Sequence, residues 1–107
     1  MANTFKLKTK ASVGITTTSV YVVPSSTTTV VIGITASNVS GNNINVGIGI
    51  TRASADDIHL MKNVPIPQGS SFEFMSGNKV VLETTDTITA KSDVASSLDV
   101  ALTIMEI

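Results

Sequence analysis

The sequence predicts an all-β chain: an antiparallel β-sandwich, jelly-roll-like, of eight or nine short strands. Three observations carry this. Apolar residues recur at every second position through most of the chain, and no window shows them at helical spacing over three turns. The alternating runs are rich in Val, Ile and Thr, which suit a pleated, half-buried surface. Clusters of Gly, Pro, Asn and Ser interrupt them at short intervals, the pattern of sandwiches and jelly rolls. At 107 residues the chain makes one domain, 1–107, in which 1–13 form an N-terminal strand or docking arm.

In chain order, residues 4–13 alternate. Phe5, Leu7, Thr9, Ala11 and Val13 share one side; Lys6, Lys8, Lys10 and Ser12 share the other. The lysine comb reads as a solvated, edge-guarding face, or alternatively as an arm that docks on an acidic neighbour. Gly14 ends the run. Thr18–Val23 is a short strand stopped by Pro24. Thr27–Val39 is the longest β-rich run, with Val30, Ile32, Ile34 and Ala36 on one face. After a turn at Ser40-Gly41-Asn42-Asn43 comes the cleanest alternation, Ile44, Val46, Ile48 and Ile50 against Asn45, Gly47, Gly49 and Thr51. Two runs flanking so short a turn predict an antiparallel hairpin. Residues 52–57 form a loop, and Ile58–Val64 another strand.

The stretch 63–91 is read as architecture. Pro65 and Pro67 each remove a backbone donor, so with Gly69 they mark a corner on an edge or in a connection. Phe72 and Phe74 share one side of a short strand, and a turn at Ser76-Gly77-Asn78 is expected to reverse the chain. Val80 and Leu82 follow, then a second corner at Thr84-Thr85-Asp86, then Ile88 and Ala90. The last strand points Leu98, Val100, Leu102 and Ile104 inward and reaches the C-terminus paired in a sheet.

Composition limits the function classes. There is no cysteine, so disulfide scaffolds and thiolate zinc sites are excluded. The formal net charge is −1 and no polybasic run exists, so neither nucleic acid nor an anionic membrane is an expected partner. Three Phe, one Tyr and no Trp make a poor stacking platform for bases or sugars. No stretch approaches the roughly 18 apolar residues of a membrane helix, and residues 1–10 lack the apolar core of a signal peptide. Charged residues are 14% of the chain, against about 25% in ordinary domains. Such a neutral Ser/Thr/Asn surface either meets protein or is simply a neutral surface exposed to solvent.

Chemistry-bearing residues are few. His59 is the single histidine, and Asp57 lies two positions away on the same strand face; with Asp56 it offers two or three metal ligands, but no second His or Cys completes a set. A surface histidine beside a loop is the plainer reading. No nucleophile elbow occurs, and Gly47-x-Gly49 lies in a strand with no helix after it, so it is no phosphate loop. Asn38-Val39-Ser40 matches a glycosylation acceptor by chance. No enzyme activity, cofactor or metal is expected. The residues singled out for partner contact are Lys6, Lys8 and Lys10, for charge, and Gly47 and Gly49, where a bare strand face admits another backbone from the chain or from another subunit, or is simply tolerated as a flat exposed strand.

Four segments resemble small virion structural proteins of tailed phages, cyanophages especially: S19-V-Y-V-V-P-S-S-T-T-T-V-V-I-G-I-T-A-S-N-V39, L60-M-K-N-V-P-I-P-Q-G-S-S-F-E-F74, K79-V-V-L-E-T-T-D-T-I-T-A90 and S97-L-D-V-A-L-T-I-M-E-I107. Thr85 stands where that pattern has a glycine before the aspartate. The resemblance implies a β-sandwich, a non-enzymatic structural role and a virion location. The major capsid protein is the first-choice partner for a capsid decoration, as a homo-oligomer and by preference a trimer. Tail proteins are the second, for a tail, neck or baseplate accessory. A glycan- or receptor-binding adhesion module is the alternative from another class.

Overall fold

The structure, a computed structural model, describes residues 3–52, 56–74 and 79–107. Nine strands build two antiparallel sheets: β1 Thr4–Val13, β2 Thr18–Val22, β3 Thr29–Asn38, β4 Ile44–Thr51, β5 Ile58–Ile66, β6 Ser71–Phe74, β7 Val80–Leu82, β8 Thr87–Ser92 and β9 Leu98–Glu106. The first sheet, A, runs β1-β9-β3-β6, with β7 also on β3; the second, B, runs β2-β8-β4-β5. Going along the chain, β1 pairs with β9, β2 with β8, β3 with β6 and β7, and β4 with β5. This nesting of the two chain halves, wrapped over two sheets, is a jelly roll.

The core lies between the sheets. Ile44, Val46, Ile48 and Ile50 of β4 in sheet B and Leu98, Val100, Leu102 and Ile104 of β9 in sheet A all belong to it, and all eight are buried. Both runs keep the period of two predicted for them. Pro65 stands in β5, the edge strand of sheet B, where a missing N–H leaves no ladder bond unmade. The corner at 84–86 is a tight turn: Asp86 N donates to Glu83 O at 3.0 Å, and Thr85 takes φ +72°.

Three expectations fail, each for a local reason. The runs β3 and β4 are not a hairpin; they enter different sheets. Asn38 fixes that crossover. Buried at the end of β3, it donates through Nδ2 to Asn42 O (2.7 Å) and Ile66 O (3.0 Å), while its Oδ1 accepts from Ser40 N and Ser40 Oγ. The turn expected to reverse the chain at 76–78 lies outside the described residues, but β6 and β7 on either side run in the same direction along β3. They are two halves of one interrupted strand, which leaves eight strand positions in the roll. The loop expected at 52–57 includes 53–55, outside the described residues.

Bulges account for the third failure, the strand phase. In β3 the register slips between Val31 and Gly33, so Val31, Ile34 and Ala36 point inward while Val30 points out. In β1 it slips between Lys10 and Val13, where Ser12 holds φ +57°. Val13 is core, yet everything before the bulge is turned over: Lys6, Lys8 and Lys10 lie opposite the buried Ile104, Leu102 and Val100, and Phe5 and Leu7 face out. One inserted residue moves a whole strand segment to the other face.

Candidate functional site

The lysine comb is therefore not a free outer face. Lys6 Nζ sits 2.8 Å from Glu106 Oε1. The other carboxylate oxygen of Glu106 accepts from the Tyr21 hydroxyl at 2.6 Å, and that hydroxyl also meets Thr29 Oγ1 at 2.8 Å. Lys8 Nζ lies 5.9 Å from the centre of the Tyr21 ring, within cation–π range. Of the three, Lys8 is half-buried while Lys6 and Lys10 are exposed, their charged tips reaching partners or water. Burial first, and the hydrogen bond to Glu106 second, push Tyr21 from 10.0 up to about 12. Hydrogen bonds from Lys6 and then Tyr21 hold Glu106 below the usual carboxylate value.

Gly47 and Gly49 lie on β4 in sheet B, away from the lysines in sheet A, so the five expected contact residues do not form one site. The two glycines differ. A Cβ on Gly49 would stand 2.9 Å from Ile58 O and 3.3 Å from Thr89 Oγ1, so the backbone that approaches is the chain's own β5. A Cβ on Gly47 meets nothing nearer than Met61 O at 3.6 Å. Over these glycines runs an open trough of about 440 Å³, walled by Asn45, Thr89 and Lys91 on one side and His59, Lys62 and Asn63 on the other. Two register slips in β5, with Asn63 at φ +52°, shape the second wall. Hydroxyl, amide and ammonium groups there suit hydrogen bonding to a polar ligand.

The acids are committed to structure. Of eight in the chain, six hold turns or strands in place. Asp57 caps Arg52 N (3.0 Å). Buried Asp86 accepts from Arg52 Nε and Glu83 N, and Glu83 pairs with Arg52 Nη2 at 2.6 Å. Asp93 accepts from Asn45, Asp99 from Ser12 N, and Glu106 from Tyr21. Asp57 and His59 both border the trough, and among the described residues no three His, Asp or Glu side chains gather as a metal site.

A further surface was not legible in the sequence. On the outer face of sheet A, Phe5 lies opposite Met105, Met105 opposite Val30, and Val30 opposite Val81. Directly opposed residues in antiparallel strands share a face, so these four make one apolar row across β1, β9, β3 and β7. Phe5 is 69% exposed, Leu7 66% and Val81 61%. Leu7 widens the row, opposite Thr103. The signal that would have revealed it is the bulge at Ser12, which no residue type announces.

Comparison with family models, with curated proteins and with solved structures gives no match.

Proposed function

We propose that this chain is a non-enzymatic structural protein of a phage virion, first of all a capsid decoration protein that binds and stabilises the shell. The observation that carries the reading is the apolar row Phe5–Met105–Val30–Val81 with Leu7 beside it. The largest apolar patch on a small domain is often functional, and the make-up of this one suits a protein partner. The sparse charge supports the same reading, because an interface here strands few buried ions. So do the acids, which hold turns and strands together. The segment resemblance supplies the virion location, and jelly rolls are a frequent shell architecture. That last argument is fold analogy and carries no site.

The mechanism is clamping. Each copy buries area against its neighbours, and many weak contacts multiplied by copy number raise the free energy of disassembly. Quantitative mass spectrometry of purified particles tests this: the chain is expected at a fixed stoichiometry to the major capsid protein. A fixed ratio to a tail or baseplate subunit instead places it as a tail accessory. Absence from particles refutes the virion reading.

The trough over Gly47 favours a second reading, a glycan-binding module. It predicts specific retention on a glycan array that Gly47→Phe abolishes; an array without hits removes it.

A further inference from the structure

Resting on the reading of the outer face of sheet A as an assembly surface, we infer that the occupant of that face is a second copy of this chain, two copies meeting face to face about a two-fold axis.

Size is the first argument. A Phe side chain presents roughly 150–250 Å² when fully exposed, and Leu and Val present less. At the exposures of Phe5, Leu7 and Val81 they leave roughly 350 Å² of apolar surface in one patch, within the range of the largest patch on an ordinary monomer, which is often functional. The apolar end of the face, four strand positions at about 4.8 Å by four or five residues at about 3.3 Å, spans roughly 300 Å² of sheet. Two such ends together supply about half of the roughly 1,200 Å² at which specific interfaces begin, the size of a weak dimer.

Charge is the second. A two-fold interface sets a patch against itself, so the patch must tolerate its own charges. The Phe5 row carries none, and the Leu7 row continues through Thr103 to Gly33. The outward acids of sheet A, Asp99 opposite Ser37 and Glu73 opposite Thr35, lie toward the other end of the strands. An axis through the apolar end brings no like charges into register there.

The edge of the sheet is the competing route to a dimer, and the lysines close it. β1 is the edge strand of sheet A. If it paired antiparallel with β1 of another copy, keeping Phe5 and Leu7 on a common outer face, even-numbered residues would oppose even-numbered ones. Lys6, Lys8 and Lys10 would then face lysines of the other copy, and directly opposed like charges destabilise a sheet. A one-residue slip would set Phe5 and Leu7 against lysines. The comb blunts edge-to-edge growth and leaves the face as the surface through which copies meet. Both sheet B faces of the dimer stay outward, available to other partners.

Light scattering of the purified full chain across a concentration series tests this, with circular dichroism as a folding control. The expected native mass is twice the 11.1 kDa chain. Phe5→Glu on β1 and Val81→Glu on β7 each weaken the dimer about tenfold or more, the equivalent of about 1.4 kcal/mol. Lys8→Gln, which relieves the edge repulsion, leaves the dissociation constant unchanged. Two substitutions on separate strands keep the test intact if one variant fails to fold. A monomer at every concentration, a trimer or larger ring, or wild-type dimerisation of a folded Val81→Glu overturns the inference. A dimer strengthened by Lys8→Gln overturns it in favour of edge pairing. A monomer that is nevertheless stoichiometric in particles refutes this inference alone; a dimer absent from particles refutes the virion reading alone.

Discussion

Gly49→Ala and Gly47→Ala form a matched pair on one strand, two residues apart, with opposite expected outcomes. At Gly49 the new methyl would stand 2.9 Å from Ile58 O, a backbone atom that moves only if β5 moves. Overpacking of this kind costs about 1–3 kcal/mol, offset by the roughly 0.5–1 kcal/mol that alanine gains over glycine in a strand. The net loss is about 0–2.5 kcal/mol. At Gly47 the nearest atom is 3.6 Å away, ordinary contact, so only the favourable backbone contribution remains. At about 4 °C per kcal/mol for a chain near 100 residues, calorimetry should show Gly49→Ala melting up to roughly 10 °C below the parent. Gly47→Ala should melt level with it or a few degrees above. Equal melting temperatures for the two variants would refute the assignment of β5 as the backbone packed on Gly49.

Other perturbations follow from the polar clusters. Tyr21→Phe leaves buried Thr29 Oγ1 without its hydroxyl partner and should lower stability in urea by about 1–3 kcal/mol. Asp86→Asn weakens a buried carboxylate that accepts from Arg52 Nε and Glu83 N, and a loss of about 1–3 kcal/mol is expected by the same assay. Because the folded Tyr21 pKa lies above its ordinary 10.0, its contribution is complete below pH 10 and fades as pH rises toward about 12. Glu106, depressed in the folded state, contributes above its ordinary 4.5 and loses that contribution as pH falls through the lower folded value. In Tyr21→Phe the alkaline part of the stability profile should flatten.

The fold was largely legible because β4 and β9 keep strict alternation in core strands, where burial on one face fixes the phase. The prolines were legible because a missing N–H restricts where they sit. What was hidden depended on single-residue bulges. Alternation in β1 gives two faces but not which one is inside, and Val13 belongs to the core only across the slip at Ser12. The lysines therefore read as the solvent face when they lie opposite the buried Ile104, Leu102 and Val100, with Lys8 over Tyr21. The crossover at Asn38 was hidden for another reason: a four-residue turn serves a hairpin or a change of sheet equally well, and the choice rests on a buried amide bonding to Ile66, distant in sequence. Gly47 and Gly49 were recognised as bare positions, but only the built geometry separates the packed one from the open one.

Oxidative footprinting of the isolated chain at low concentration and of intact particles tests the central claim most directly, that the outer face of sheet A is an assembly surface. Phe5, Leu7 and Met105 should be modified severalfold more slowly in the particle, while exposed Val22 and Ile58, both in sheet B, keep more of their reactivity. Equal modification of Phe5 and Leu7 in both states would contradict the account.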